Sequence, residues 1–179
     1  MRVIGGSAKG RQLKGPRGPG TRPTSDLVRG AMFDILRAMG TDFPRVLDLY
    51  AGTGALGIEA LSRGAGWCDF VERGYRARET IRENLAHTDL AGKAAVHALS
   101  ARQVPERLRG PYTLVLADPP YDDERALEDV ERVATSPLLA PGAVLVLEHS
   151  RRREAPPALG GRPLLQSRRH GDTCVSFYR

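Results

Sequence analysis

The tetrapeptide Asp118-Pro119-Pro120-Tyr121 carries the strongest chemical signal in the sequence. It follows an apolar strand pattern, and its two prolines fix φ and remove two N–H donors, so the segment cannot simply begin a helix. The Asp118 carboxylate and the carbonyl groups therefore form a rigid set of hydrogen-bond acceptors at the carboxyl end of a strand. The alternative is an ordinary Pro-Pro turn.

Acceptors in this arrangement suit a reaction at the exocyclic amine of a nucleobase. Such an amine is a poor nucleophile because its lone pair is delocalised into the ring. The Asp118 carboxylate and the Pro119 carbonyl would orient the nitrogen toward a methyl donor and stabilise the developing positive charge. Tyr121 would stack on a flipped-out base. This chemistry requires no metal ion and no nucleophilic side chain.

A glycine loop precedes the tetrapeptide in the chain. The loop begins at Asp48, after a buried strand pattern, and Gly52, Gly54 and Gly57 match G-x-G-x-x-G. In an open parallel sheet, such a loop binds ligands beyond the carboxyl ends of the strands. Glu72 ends the next strand and is placed to accept hydrogen bonds from ribose hydroxyls. The pattern predicts a nucleoside-containing cofactor; a purely structural strand-to-helix turn is the alternative.

Two classes of cofactor compete for this loop. A nicotinamide dinucleotide would place its pyrophosphate over the loop, close to the like-charged Asp48 carboxylate. S-adenosylmethionine instead carries a cationic amine and a sulfonium, which an acidic residue attracts. The chain also has little room for a separate dehydrogenase substrate domain. Asp48 therefore favours S-adenosylmethionine.

The elements that must position these groups alternate between strand and helix. The pattern predicts helices near residues 24–39, 54–63, 75–87, 102–108 and 123–134, and strands near 45–49, 67–71, 96–99, 114–117 and 143–148. This alternation implies a parallel sheet with helices on both faces. The last two strands, 163–169 and 173–178, are separated by only three residues, so they should form an antiparallel hairpin at the sheet edge.

The length and composition fit one packed domain. The chain has 179 residues, of which 41% are hydrophobic and 27% charged. No apolar run is long enough to span a membrane and no secretory signal is visible, so we expect a cytoplasmic protein with no membrane partner. Cys68 and Cys174 are expected to be reduced thiols. We expect a monomer.

The basic charge is concentrated at the N-terminus. The first 25 residues hold six cations and no acid, so they account for the whole formal charge of +6. A basic arm on a neutral body predicts a polyanionic partner, and a solvated tail is the alternative. We divide the chain into a basic arm or hairpin, 1–25, and a single domain, 26–179. The candidate RNA-binding residues are Arg2, Lys9, Arg11, Lys14, Arg17 and Arg22.

Longer strings resemble one protein family over essentially the whole chain. They are R-V-I-G-G, T-R-P-T-S-D-x-V-R, D-L-Y-A-G-T-G-A-L-G-I-E-A-L-S-R-G-A, V-E, N-L, D-P-P-Y and R-H-G-D-T-C-V-S-F-Y. Together they resemble the bacterial RsmD family of small-subunit ribosomal RNA guanine-N2 methyltransferases. The resemblance implies an α/β class I S-adenosylmethionine-dependent methyltransferase fold, Rossmann-like. Its sheet would have seven mostly parallel strands, with a C-terminal antiparallel hairpin and a small basic N-terminal extension.

The resemblance also implies a reaction and a substrate. The substrate would be guanine 966 of 16S ribosomal RNA in the assembled or assembling 30S subunit. The cofactor would be S-adenosylmethionine, leaving S-adenosylhomocysteine, with no metal. Catalysis would rest on Asp118, Pro119, Pro120 and Tyr121. The cofactor residues would be Asp48, Tyr50, Ala51, Gly52, Thr53, Gly54, Glu72, Arg73, Ser100, Ala101 and Asp118.

Two positions depart from the family pattern. Ser100 stands where many relatives have an acid, which bears on the contact to the adenine amino group. His170 replaces the usual Tyr before Gly-Asp-Thr, which bears on the hairpin rather than on chemistry.

Two other functions fit some of the same motifs. D-P-P-Y also serves DNA adenine and cytosine amino methyltransferases, although 179 residues leave little chain for a domain that reads a DNA target. The third hypothesis is a noncatalytic RNA-binding assembly factor with a vestigial nucleotide pocket. The intact Asp118 and Gly52 argue against it.

Overall fold

A computed structural model describes residues 1–15, 25–121, 123 and 125–179. The helices in these ranges are α1 (Asp26–Ala38), α2 (Ala55–Ser62), α3 (Tyr75–His87), α4 (Val104–Arg107) and α5 (Ala126–Thr135). The strands are β1 (Arg45–Leu49), β2 (Trp67–Val71), β3 (Ala94–His97), β4 (Tyr112–Ala117), β5 (Leu139–Ser150), β6 (Ala158–Leu159), β7 (Arg162–His170) and β8 (Thr173–Tyr178). Short 3₁₀ turns cover Ala91–Lys93 and Ala101–Gln103.

The strands form one mixed sheet in the order β3-β2-β1-β4-β5-β8-β7-β6. Pairing is parallel from β3 through β5, and β8 runs antiparallel to β5 and to β7. The predicted parallel sheet with helices on both faces and the predicted C-terminal antiparallel hairpin are confirmed.

The described residues contain eight strands, one more than the seven expected, and the additional strand is β6. This strand pairs Ala158 with Pro163 and Leu159 with Arg162. Gly160 and Gly161, which join β6 to β7, both have positive φ, at 60° and 74°. A two-residue turn with positive φ at both positions is the usual tight hairpin connection, and it favours Gly-Gly. The Gly-Gly pair was therefore a readable hairpin signal.

Several predicted boundaries also differ from the structure, and the largest differences are at the starts of α5 and β5. Helix α5 begins at Ala126 instead of near Asp123, because the Asp123 carboxylate accepts a hydrogen bond from the Arg125 N–H and holds the chain in a turn. Strand β5 begins at Leu139, four residues earlier than predicted. The strand continues through Gly142, whose φ of 71° lies in the left-handed region that favours glycine.

Alternating residues of the central strands pack on opposite faces of the sheet. In β4, Leu114 and Leu116 pack in the core shared with α1, α2 and α3, whereas Val115 and Ala117 pack in the core shared with α4 and α5. This period of two decides which strand-end side chains share a face.

Residues 1–15 pack against the helices that cover one face of the sheet. Val3, Ala8 and Leu13 are buried in the same core as α1 and α2. The carboxylate of Glu59 in α2 accepts hydrogen bonds from the backbone N–H groups of Ile4 and Gly5, both at 2.8 Å. The N-terminal residues thus contribute to the core. The proposed division at residue 25 stays a prediction.

The remaining structural expectations concern the cysteines and membrane spans. Cys68 is buried and Cys174 partly buried, and both are free thiols. Within the described ranges, no helix is both long and apolar enough to cross a bilayer.

Candidate active site

One cavity at the carboxyl edge of the sheet gathers most of the predicted site. Its volume is about 560 Å³, and all four residues of the tetrapeptide line it. Of the predicted cofactor residues, Gly54 alone does not line it. Gly54 instead precedes α2 in the left-handed conformation, with φ 78°. The glycine loop and the D-P-P-Y turn therefore face the same space.

The strand register explains why these groups meet. Asp48 in β1 lies opposite Leu116 in β4, and Leu116 lies opposite Val146 in β5. Two residues farther along the chain come Asp118, just after β4, and Glu148, within β5, and the period of two places their side chains on the same face as that of Asp48. Three neighbouring strands thus deliver three carboxylates to one cavity.

Asp48 is the most deeply buried of these acids, at 1% exposure. One of its oxygens accepts a hydrogen bond from the N–H of Gly57 at 2.9 Å. Burial is the main cause that raises the pKa of Asp48 to about 8; the Gly57 hydrogen bond lowers it, and the charges of Asp118 and Glu72 raise it further. A cationic ligand would offset this desolvation and favour the ionised carboxylate.

Glu72 joins the glycine loop to the end of β2. Its Oε2 accepts a hydrogen bond from the N–H of Gly52 at 3.0 Å, and its Oε1 accepts one from the N–H of Gly74 at 2.6 Å. Sequence reasoning assigned Glu72 only to ribose hydroxyls. The structure adds a role in shaping the loop, and each carboxylate oxygen keeps a further lone pair for a ligand.

The glycine loop follows an unusual backbone path. Tyr50 and Gly52 both have positive φ, at 56° and 55°. The hydroxyl of Tyr50 is buried and has no hydrogen-bond partner in the described part of the chain. Tyr50 also lines the cavity.

The tetrapeptide is anchored at its tyrosine. The Tyr121 hydroxyl lies 2.8 Å from Oγ1 of Thr173 in β8 and donates to Oε1 of Glu148 in β5 at 3.4 Å. Burial raises the pKa of Tyr121 to about 12, so the hydroxyl stays protonated at neutral pH. Pro119 is buried, whereas Asp118 is partly exposed. The C-terminal hairpin therefore fixes one end of the acceptor turn.

The remaining predicted cofactor residues form another part of the cavity lining. Arg73 is exposed, Ser100 is partly exposed and Ala101 is buried. The Ser100 hydroxyl and N–H both bond to the Gln103 side chain, so this serine caps the 3₁₀ turn.

Sequence reasoning missed several lining residues. They include Ser25, Val28, Leu56, Leu99, Asp123, Asp129, Glu148, His170 and Thr173. Glu148 carried a usable signal, because it is an acid at the end of an apolar strand, like Glu72. His170 was expected to affect only the hairpin, but the structure places it on the cavity wall. The antiparallel return of β8 brings His170 and Thr173 there.

The predicted RNA-binding cations that the structure describes lie away from the cavity lining. Arg11 pairs with Asp89 at 2.6 Å, Lys14 pairs with Glu83 at 2.9 Å, and Arg2 lies 3.8 Å from a carboxylate oxygen of Asp26. Lys9 is exposed. Arg17 and Arg22 fall outside the described residues. RNA contact by this segment stays a prediction.

The sheet order, with antiparallel β8 beside β5, and the position of the cavity define a class I methyltransferase fold. A family model described as "Conserved hypothetical protein 95" matches residues 1–179. The chain belongs to this family, the RsmD family.

Individual relatives agree with this placement. YlbH of Bacillus subtilis (strain 168), which bears a provisional name as an rRNA methyltransferase, is 36% identical over 100% of this chain and 98% of its own. Ribosomal RNA small subunit methyltransferase D of Escherichia coli (strain K12) is 36% identical over 83% of this chain and 74% of its own. The solved structure of yhhF from Escherichia coli, provisionally named a methyltransferase, has a TM-score of 0.85 at 31% identity, covering 99% of this chain and 96% of that one.

Proposed function

We propose that this protein transfers the methyl group of S-adenosylmethionine to the exocyclic N2 of a guanine in small-subunit ribosomal RNA. The observation that carries the proposal is the single cavity lined both by the glycine loop and by the D-P-P-Y turn. A methyl transfer needs its two reactants within one protected space, and these two motifs supply walls for both.

The glycine-loop side of the cavity fits the proposed cofactor. S-adenosylmethionine, when bound, supplies an electrophilic methyl group and carries a cationic amine and sulfonium. The buried Asp48 supplies the anionic partner for such a cation, and Glu72 supplies acceptors for ribose hydroxyls.

The D-P-P-Y side fits an amino group on a planar base. The Asp118 carboxylate and the Pro119 carbonyl accept hydrogen bonds from the two amine hydrogens, which keeps the nitrogen lone pair aimed into the cavity. Tyr121 provides a ring on which the base stacks, and its hydroxyl bonds to Thr173 prevent the ring from turning away. These residues orient the acceptor and stabilise its developing charge without forming a covalent bond.

The choice of substrate comes from family membership and from charge. The name of YlbH specifies rRNA, and that of the Escherichia coli relative specifies ribosomal RNA of the small subunit. The first 25 residues carry six cations and no acid, and among the described ones Lys9 is exposed, which suits contact with phosphates. Guanine 966 of 16S ribosomal RNA in the 30S subunit is the proposed target.

The test combines labelled S-adenosylmethionine with small subunits from cells that lack this modification. We expect N2-methylguanine after nuclease digestion, and mass mapping should place it at a single nucleotide. Asp118→Ala should lower kcat at least 100-fold. Asp42→Ala is a matched control, because Asp42 is exposed and lines neither this cavity nor the small one beside it.

The alternative functions give different results in this experiment. Methyl incorporation into adenine or cytosine, or into DNA in preference to RNA, would indicate the DNA-type amino methyltransferase. Tight binding to small subunits without any methyl transfer, unchanged in Asp118→Ala, would indicate an assembly factor.

A further inference from the structure

Glu148 is a buried acid for which the proposed methyl transfer assigns no role. It follows the apolar run of β5, is only 4% exposed and lines the 560 Å³ cavity. Its Oε1 accepts the hydrogen bond from the Tyr121 hydroxyl. A carboxylate at this wall of the cavity is placed to accept a hydrogen bond from a bound substrate.

The register places Glu148 level with Asp118. Leu116 and Val146 are direct partners in the parallel pair β4–β5, so the residues two positions later, Asp118 just after β4 and Glu148 within β5, lie side by side. Neighbouring strands are about 4.8 Å apart. Both acids influence Tyr121, whose pKa they help to raise. A base that stacks on Tyr121 thus meets two adjacent carboxylates.

Two adjacent acceptors match one nucleobase edge better than the others. In guanine, the N2 amine is next to the N1–H, so two donors lie side by side. In adenine and cytosine, the ring nitrogen next to the exocyclic amine carries a lone pair and accepts. A carboxylate facing that position attracts guanine and repels the lone pair of the other two bases.

We infer that Glu148 is the residue that selects guanine, by accepting a hydrogen bond from N1–H while Asp118 and Pro119 hold the amine. This inference rests on the proposed function and deepens it. Thr173 acts as a positioning residue, because its bond to the Tyr121 hydroxyl fixes the group that in turn bonds to Glu148. Selectivity would then arise from β5 and β8, whereas the methyl-transfer groups come from β4.

The experiment uses small subunits reconstituted with 16S ribosomal RNA in which the mapped target is either guanosine or 2-aminopurine riboside. The analogue keeps the 2-amino group, but its N1 is an acceptor. Wild-type protein should have a kcat/KM on the order of 10- to 100-fold lower on 2-aminopurine, as expected for a lost hydrogen bond with an opposed acceptor.

Glu148→Gln should make the kcat/KM values for guanosine and 2-aminopurine nearly equal. Its amide can donate to N1 of 2-aminopurine, so we expect the guanine preference to fall to within about threefold while activity on guanine drops about 10-fold or more. Glu128→Gln makes the same chemical change on the exposed side of α5, outside both cavities. It should keep the wild-type ratio of kcat/KM on guanosine to kcat/KM on 2-aminopurine. Thr173→Val should reduce the ratio partially, by loosening Tyr121.

Two results would overturn the inference. One is wild-type protein that methylates guanosine and 2-aminopurine equally well, a result that does not depend on whether any variant folds. The other is folded Glu148→Gln that retains the wild-type ratio, with folding checked by thermal unfolding and by S-adenosylmethionine affinity. Failure of the proposed function is seen separately, as absence of N2-methylguanine from ordinary subunits treated with wild-type protein.

Discussion

The carboxylate of Glu59 accepts a hydrogen bond at 2.8 Å from the backbone N–H of Ile4, 55 positions earlier in the chain. Glu59 is completely buried and also accepts from Arg63, and it lies 3.6 Å from the equally buried Arg29. The N-terminal string R-V-I-G-G and the string G-I-E-A-L-S-R are therefore two halves of one contact. Their joint presence in the sequence reflects docking of the first residues onto α1 and α2.

Breaking this buried contact should destabilise the fold. Glu59→Gln removes one of the carboxylates beside the buried Arg29, which keeps Asp26 at 2.8 Å, and leaves one N-terminal N–H without an acceptor. We expect the free energy of unfolding to fall by about 2 kcal/mol or more. Denaturant titration measures this change. Glu79→Gln, which breaks the exposed pair with Arg82, should cost less than about 1 kcal/mol. Equal losses in the two variants would contradict the buried role of Glu59.

The contribution of the N-terminal cations to RNA binding should appear in the salt dependence. Deleting residues 1–15 would remove Val3, Ala8 and Leu13 from the core, so single substitutions are the cleaner test. Lys9→Ala should reduce the slope of log affinity against log salt by about 0.7 to 0.9, the value of one phosphate contact.

The matched control for this measurement is Lys93→Ala, at an exposed lysine on the turn before β3. The slope should stay at its wild-type value in that variant, and the thermal midpoint should stay unchanged in both. A Lys9→Ala slope identical to that of wild type would assign residues 1–15 a structural role alone.

The raised pKa of Asp48 predicts how stability depends on pH. Folded protein keeps this proton up to about pH 8, whereas an unfolded aspartate releases it near 3.8. Between these values the folded state binds more protons, so the free energy of unfolding contributed by Asp48 falls as pH rises. Asp48→Asn should remove that slope and be more stable at pH 8 than wild type.

The same substitution should have the opposite effect on the proposed cofactor. Without the carboxylate, the cationic amine and sulfonium lose their anionic partner, so S-adenosylmethionine affinity should fall about 10-fold or more. Denaturant titrations from pH 5 to about 8, with calorimetric binding at neutral pH, measure both effects. Wild type and Asp48→Asn curves that run parallel across this range would be the contradicting result.

Gly57 should tolerate no side chain. A Cβ at this position would meet the Phe70 ring and would lie 2.7 Å from the sulfur of Cys68, where α2 packs on β2. Gly57→Ala should lower the free energy of unfolding by about 1 to 3 kcal/mol through overpacking. It should also displace the N–H that bonds to Asp48, and so weaken cofactor binding.

Gly92→Ala serves as the control for this overpacking. A Cβ there has no neighbour within 4 Å in the described structure, and its φ lies outside the left-handed region. We expect a change within about 0.5 kcal/mol. If Gly57→Ala were as stable as Gly92→Ala, the close packing of α2 on β2 would be wrong.

Local patterns predicted much of this molecule. The bounds of β1, β2, β8 and α3 follow from runs of apolar residues and their periods, because those patterns report burial directly. The glycine loop and the D-P-P-Y turn could be recognised for a different reason, because each is a continuous stretch whose residue types restrict the backbone. Their position at one edge followed from the parallel order of the strands.

The parts that sequence reasoning missed depend on contacts between distant residues. Glu148 could be seen as an acid at the end of a strand, but its place beside Asp118 depends on the β4–β5 register. Thr173 reaches Tyr121 because β8 inserts antiparallel between β5 and β7. The sequence alone determined the fold class, the family and the two motifs, because these are encoded in local residue types. Only the tertiary structure decided which side chains share the cavity, because hydrogen-bonded strand pairing brings together residues far apart in the chain.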